Sequence, residues 1–437
     1  MTVVDLFRHQ QQALQDLLGR PAYALWWKPG VGKTAPLAVA GRLASGRQLW
    51  LTPASLRAQA VREIARFRGD APQIQALRSS KDKVDPTADV VICSYELARS
   101  VEIFKQLFAL QWTSLVCDEA HKLANASAQI TKAVYGARLS SPGALYKRAD
   151  RVWIATGTPI TNYPDGLWPH LSRLWPELAT TTLAEWREQF CVLRHTHFGQ
   201  QVVGGKNLVE LKERLDRTGS RLTLEDVREM PLLTVDEVVI EAGSLDLSGI
   251  DAETRAQLEA VLNEPDTDDA WALLENMAPA LATLRARIAL AKAGATAALV
   301  AEELEGGLDR CVVFGCHVEA LKAAHEALRR YGAGLIIGET PEKDRAAAIE
   351  CFERGDLRVL VGNVQSIGTG LNLQAAARSV FLDAAWSPAM NEQAIHRIFR
   401  TGQDRPVRVS FLSLAGSVDE RVQAVLARKA RILNAMQ

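Results

Sequence analysis

Short, almost wholly apolar runs recur along the chain, separated by longer segments of helical periodicity. Tyr23–Trp27, Gln48–Leu51, Asp89–Cys93, Ser114–Cys117 and Arg151–Ala155 form one series. Cys311–Phe314, Leu335–Ile337, Val359–Val361, Ser379–Leu382 and Val407–Leu412 form a second. Runs this short and this apolar predict strands buried on both faces, with crossover helices between them. The alternation therefore predicts an α/β chain with two parallel-sheet domains covered by helices. Between the two series, over roughly 160–300, the pattern is mainly helical, with Trp168, Trp175 and Trp186 expected in the core. Glu264-Pro-Asp-Thr-Asp-Asp269 reads as a solvated connection within that stretch.

Composition agrees with this division. A chain of 437 residues with 48% hydrophobic content can bury two or three cores. No run of 18 apolar residues is present, so no membrane span is expected. The opening MTVVDLFRHQ lacks a charged segment followed by an apolar one, which argues against secretion. Six cysteines are scattered without CxxC spacing, which fits a reducing compartment and argues against zinc. The expected location is cytoplasmic, in a bacterial or viral setting, or nucleus-associated. Formal net charge is zero, which removes the simplest electrostatic case for a nucleic-acid partner. Its distribution is uneven: residues 241–270 hold nine acids and one base, and residues 388–437 hold eight bases and four acids.

Three segments carry chemistry. Pro29, Gly30, Val31, Gly32, Lys33 and Thr34 follow an apolar run and precede a helical pattern. Glycines there let several backbone N–H groups converge on phosphate oxygens, and the following helix N-terminus adds its dipole. Lys33 can reach the β- and γ-phosphates of a nucleotide, and the Thr34 hydroxyl can ligate Mg²⁺. A strict phosphate loop has glycine five residues before Gly32, where this chain has Trp27. Further on, Asp118-Glu-Ala-His121 closes another apolar run. Asp118 is placed to hold Mg²⁺ and Glu119 to orient and deprotonate an attacking water. Near the end, Asn391–Gln403 reads NEQAIHRIFRTGQ. Gln393, Arg397 and Arg400 recur at helical spacing and are expected on one helix face, where the arginines could meet charge developing on a transferred phosphoryl group.

In this order the segments resemble the superfamily-two helicase-like ATPases, in particular a compact Swi/Snf-like DNA translocase group with a DEAH box. Leu6-Phe-Arg-His-Gln10 is similar to the family's adenine-contact motif, with Gln10 as the implied contact. Leu51-Thr-Pro-Ala-Ser-Leu56, Ala155-Thr-Gly-Thr-Pro-Ile160, Val312–Cys316 and Ser366–Leu373 resemble further ordered motifs, and Gln393–Gln403 resembles the arginine motif. Trp386-Ser-Pro388 and Gly416–Arg421 resemble its flanks. The family's paired-arginine segment is present only as Ser220–Val227, with one arginine.

The resemblance implies two RecA-like domains with a mainly helical insertion and connection between them. The expected boundaries are 1–160 for the first, 161–235 for a helical insertion and return, 236–300 for an acidic linker and helical segment, and 301–437 for the second. It implies ATP and Mg²⁺ as cofactors. Gly370 joins Gln10, Gln393 and the loop residues in binding the nucleotide. His121, Thr156, Gly157 and Thr158 couple ATP state to nucleic acid. The implied activity is a nucleic-acid-stimulated ATPase that tracks along DNA, duplex favoured over single strand and RNA less so. A strand-separating DNA or RNA helicase, or a nucleotide-gated binding adaptor with little turnover, are the alternatives. A monomer is expected, with 161–230 as a place for a protein partner.

Overall fold

The structure is a computed structural model of the chain and describes residues 6–138, 143–160, 163–196, 199–227, 229–240, 278–367, 373–400, 402–415, 417 and 419. The chain divides near residue 228 into two compact units. Fifteen strands are labelled here in chain order: β1 (Ala22–Trp27), β2 (Gln48–Thr52), β3 (Ile74–Ala76), β4 (Val90–Ser94), β5 (Trp112–Asp118), β6 (Ala149–Ala155), β7 (Cys191–Thr196), β8 (Gly199–Gly205), β9 (Gly219–Leu222), β10 (Leu233–Ile240), β11 (Cys311–Gly315), β12 (Ala333–Ile336), β13 (Val359–Asn363), β14 (Arg378–Phe381) and β15 (Val407–Leu414).

In the first unit the strand order is β3-β4-β2-β5-β6-β1-β9, and every neighbouring pair is parallel. Every residue of β1, β2 and β4 is buried, as strands covered on both faces require. One face of the sheet packs Ala24, Trp26, Leu51, Cys93, Leu115 and Ile154 into a single cluster with Ile103, Leu107, Trp186 and Phe190 from the helices. The first helix, α1 (Arg8–Gly19), buries Gln10, Ala13 and Leu17, a three- and four-residue spacing that makes one stripe.

After residue 160 the unit carries the helices Trp168–Leu174, Leu183–Phe190 and Leu208–Thr218. Thr182 and Glu185 close a reciprocal capping box at the start of the second of these. Trp186 is fully buried, Trp175 nearly so, and Trp168 packs against the same core. The segment also contains strands that the apolar pattern does not separate. β7 and β8 form an antiparallel hairpin with an irregularity at Val192 and Leu193. β9 joins the edge of the sheet beside β1, where Gly219 lies so close that a Cβ would stand 1.8 Å from the Ala24 carbonyl oxygen. The indoles of Trp26 and Trp27 donate to Thr218 Oγ1 and Ser220 Oγ, each at 2.8 Å, and fasten this edge.

The second unit is again all parallel, in the order β10-β15-β14-β11-β13-β12. Its core joins Val313, Val361, Val380 and Leu412 of the sheet to Ala289, Ala293, Ala297, Val300 and Leu304 of the helix Ala278–Glu305. Small side chains on that helix let it lie close against its neighbours. Two buried charges are compensated in place. Lys292 bonds the Leu412 carbonyl and the Asp419 carboxylate, and Arg378 forms a two-pronged pair with Glu303 at 2.8 and 2.9 Å. Both sheets are of the parallel α/β type expected of RecA-like domains. Of the expected acidic linker and helical segment at 236–300, residues 241–277 lie outside the described residues, as do Gly370 and most of Gly416–Arg421.

Candidate active site

The first unit's candidate residues gather at the carboxyl ends of parallel strands, where loops can converge on a ligand. β1 ends at Trp27, the loop 28–33 follows, and the helix Thr34–Leu43 begins with Thr34. Gly30 and Gly32 both have φ of +88°, a backbone region that disfavours other residues. A Cβ at Gly32 would also stand 2.6 Å from Gln10 Nε2 and would push that side chain aside. The Lys33 ammonium donates to the carbonyls of Trp27 at 2.9 Å and Lys28 at 3.4 Å, so it lies over its own loop.

α1 holds this loop from the other side. Gln10 is buried, its Nε2 donates to the Gly32 carbonyl at 3.1 Å, and its Oε1 accepts from the Phe7 N–H at 2.9 Å. His9, a residue the sequence reading passed over, places Nε2 3.1 Å from the Val31 carbonyl. Its ring meets the Trp27 indole edge-on at a centroid distance of 5.2 Å and stacks with Phe7 at 5.9 Å. Trp27, the departure from the strict loop pattern, is fully buried and forms one wall of this arrangement. The only sequence signal for His9 was its place directly before Gln10.

β5 delivers Asp118, and Glu119 follows with φ +52° and ψ +50°. Holding a non-glycine residue there costs on the order of 1–3 kcal/mol and turns the chain sharply after the strand. Asp118 accepts from Thr52 Oγ1 at 3.2 Å and from the Glu119 N–H at 3.1 Å, and its carbonyl accepts from the Tyr95 hydroxyl at 2.7 Å. Burial, reinforced by the Glu119 charge and opposed by Lys33, pushes the Asp118 carboxyl up to about 7. Two adjacent carboxylates, one of them bonded to the Thr52 hydroxyl, form an oxygen-rich donor set of the kind hard divalent cations take. Among the described residues no group of three or more His, Cys, Asp or Glu forms a cage by itself.

The proposed coupling residues meet here too. His121 Nδ1 lies 3.3 Å from Glu119 Oε2, 3.0 Å from Thr156 Oγ1 and 3.4 Å from Thr158 Oγ1. The Thr158 N–H donates to Thr156 Oγ1 at 3.1 Å. Gly157 packs against the phosphate loop, since a Cβ would fall 2.6 Å from Pro29 Cδ. The Asp118-Glu119 turn, the Thr156–Thr158 segment and the phosphate loop thus form one bonded and packed cluster.

In the second unit, Gln393 and Arg397 lie one turn apart on the helix Pro388–Ile398, and Gln393 is buried. Arg400 does not share their helical face as the spacing predicts. The helix stops at Ile398, and Phe399 leaves it with ψ +88°, so Arg400 sits in the turn beyond. The turn itself is firmly held. Gln403 Nε2 contacts the carbonyls of Gln374, Ala376 and Ile398 at 2.8–3.3 Å. Gly402 has φ +102°, and the Leu373 N–H donates to the Arg397 carbonyl at 2.9 Å.

Residues 42–241 match the SNF2-related domain, and residues 295–402 match the helicase conserved C-terminal domain. DNA annealing helicase and endonuclease ZRANB3 of Mus musculus is 24% identical over 400 residues, covering 88% of this chain and 36% of its own length. SWI/SNF-related matrix-associated actin-dependent regulator of chromatin subfamily A-like protein 1 of Drosophila melanogaster is 26% identical over 418 residues, covering 93% and 52%. A solved structure, the Sulfolobus solfataricus SWI2/SNF2 ATPase core in complex with dsDNA, covers 99% of this chain and 92% of its own, with 20% identity and a TM-score of 0.45. The chain spans about a third to a half of the length of these curated relatives. No helix among the described residues is long and apolar enough to cross a membrane. With its SNF2-related domain followed by a helicase C-terminal domain, the chain belongs to the SNF2-like group of superfamily-two helicase-type ATPases.

Proposed function

We propose that the chain is a DNA-dependent ATPase that tracks along duplex DNA, with a DEAH-type nucleotide site in its first unit. The observation that carries this reading is the cluster of phosphate loop, Lys33, Asp118, Glu119 and His121 at one sheet edge. Groups suited to binding phosphate, holding a cation and activating water lie together there. Amides of 30–34 and the Lys33 ammonium bind the β- and γ-phosphates of ATP, while α1 keeps the loop in shape through Gln10. Mg²⁺, held by Asp118 and Thr34, supplies charge neutralisation on the phosphates when bound. Glu119 orients the attacking water and accepts its proton. Of the second unit's residues, Arg397 and Arg400 are those proposed to meet charge on the transferred group, and Gln393 and Gly370 those proposed to bind nucleotide.

His121 links Glu119 to Thr156 and Thr158, so loss or gain of the γ-phosphate is felt in that segment. Phosphate contacts of this kind of motor are sequence-independent and weaken with salt. Support for DNA as the track comes from relatives described as DNA annealing helicases. The test is ATP turnover measured without nucleic acid and with duplex DNA, single-stranded DNA or RNA, together with displacement of a third strand from duplex DNA. Stimulation by duplex with third-strand displacement is expected. Stimulation by RNA alone, or unwinding of a plain duplex, would replace this reading with that of a helicase.

A further inference from the structure

The turn that carries Glu119 is held from a strand two places away in the sheet. Asp118 ends β5, and Glu119 leaves it with φ +52° and ψ +50°. A residue with a side chain keeps that conformation only where its surroundings fix it. The peptide unit between the two residues is gripped at both ends. Its N–H donates to Asp118 Oδ1 at 3.1 Å, and its carbonyl oxygen accepts from the Tyr95 hydroxyl at 2.7 Å. A peptide unit is planar, so fixing its hydrogen and its oxygen fixes its tilt. On the far side of Glu119, the Lys122 N–H donates to the Glu119 carbonyl at 3.0 Å. With both flanking peptide units tied, the Cα–Cβ bond of Glu119 has one direction.

Of these three ties, the one from Tyr95 alone comes from outside the segment 118–122. Tyr95 directly follows β4 and opens the short helix Tyr95–Ala98, with Ser94 Oγ accepting from the Leu97 N–H at 3.2 Å. β2 lies between β4 and β5, so the hydroxyl reaches past a whole strand, about 10 Å from chain axis to chain axis. A serine or threonine in its place could not cross that gap. Tyr95 is buried, and burial holds its hydroxyl well above the ordinary tyrosine value. It therefore stays protonated, and since a carbonyl only accepts, the tyrosine is the donor. Tyr135 is the contrast. It is equally buried and belongs to the same hydrophobic cluster, but its hydroxyl meets His170 Nδ1 at 2.9 Å instead of the turn.

We infer that Tyr95 is a positioning residue for ATP hydrolysis, whose hydroxyl holds the Asp118–Glu119 peptide so that the Glu119 carboxylate meets the attacking water; the inference rests on the proposed ATPase function. Tyr95 acts only through the turn. Without its hydroxyl the peptide unit is free to tilt, and the Glu119 side chain moves with it. The Asp118 carboxylate keeps its separate bond to Thr52 Oγ1. Water activation is therefore lost while nucleotide binding is kept.

Tyr95→Phe, which deletes only the hydroxyl, is compared with Tyr135→Phe and the wild-type chain. Two quantities are measured: ATP turnover at saturating duplex DNA, and amide hydrogen exchange of the segment 119–123 without nucleotide. Tyr95→Phe should lower kcat about ten- to a hundred-fold, with KM for ATP within about two-fold of wild type, and should speed exchange in the segment. Tyr135→Phe should leave kcat and that exchange at wild-type values. Should Tyr95→Phe fail to fold, Ser94→Ala takes its place and is judged by the same outcomes. It uncaps the helix that carries Tyr95 and keeps the hydroxyl, so its fall in kcat should be smaller, about three-fold. Wild-type kcat or wild-type exchange in the variant would overturn the inference. So would a rise in KM in place of the fall in kcat, or an equal loss of kcat in Tyr135→Phe, which would make the effect one of core packing. In each of these cases wild-type turnover with duplex DNA leaves the motor reading intact. Absence of turnover by the wild type with every nucleic acid would remove that reading and the inference together.

Discussion

Each of the two sheets presents acid at its carboxyl edge, the half-buried Asp118 with Glu119 in the first and the buried Asp383 in the second. The strands that deliver them are alike in kind, and the difference lies in the loops. At the first edge two glycines with φ of +88° and a lysine form a loop with no acid of its own, and the adjacent acid is pushed up to about 7. At the second edge a histidine and a backbone N–H engage both oxygens of the acid. One edge is thus left short of positive charge, as a site must be if a cation is to complete it. The other is satisfied within the fold. The same architecture holds two chemistries because loop residues, not strand residues, set the local charge balance.

The largest expected effects fall on the first edge alone. Lys33→Ala and Glu119→Gln should bring ATP turnover to background, a loss on the order of 10³-fold or more. Nucleotide titration should separate the two, with Lys33→Ala binding weakly and Glu119→Gln binding normally. Arg400→Ala comes next, with hydrolysis reduced on the order of 10³-fold and ATP affinity within a few-fold of wild type. An equal loss of affinity would mean that Arg400 only supports its turn.

A smaller effect tests the charge deficit itself. The Asp118 carboxyl is raised well above the usual aspartate value of about 3.9. Its neutral form suits the nucleotide-free fold, so that contribution to stability is present at acid pH and is lost as pH rises through about 7. Divalent-cation binding needs the carboxylate. Mg²⁺ affinity measured by calorimetry should therefore climb with pH up to about 7 and then level off, and Asp118→Asn should bind weakly without that step. The smallest effect concerns His9. Losing the hydrogen bond to Val31 costs about 1 kcal/mol, so His9→Ala should weaken nucleotide binding roughly five-fold. A change within error would show that Gln10 alone shapes the loop.

Much of this was legible in the sequence, and the exceptions have physical causes. β1 reads AYALWW and β4 reads VVICS, and such unbroken apolar runs announce central strands. β3 has three residues, β9 reads GSRL, and β10 reads LTVDEVVI, with three polar residues and half of its positions exposed. These are edge strands, and their pairing is decided by distant partners that no local window contains. The nucleotide site was visible because its glycines, lysine and acids lie in contiguous tetrads and hexads. Gln10 was expected to contact adenine; its bonds to the Phe7 N–H and the Gly32 carbonyl, which join α1 to the phosphate loop, were not legible. His9 and Thr52 were missed as site residues because each is a single polar residue whose partner is brought in only by the fold. The end of the helix Pro388–Ile398 could not be read because the polar spacing continues unbroken through Arg400.

β9 has a consequence for how the protein is made. Its partner β1 lies almost two hundred residues earlier, with Ala24 opposite Gly219. Until residue 222 has left the ribosome, the sheet that carries the phosphate loop has an open edge, and the indoles of Trp26 and Trp27 lack their hydroxyl acceptors. The nascent first unit must therefore wait, with an apolar strand flank exposed, for most of its length to be synthesised. A shortened chain ending after β6 would carry every nucleotide-site residue of that unit and still present an edge suited to pairing with another chain.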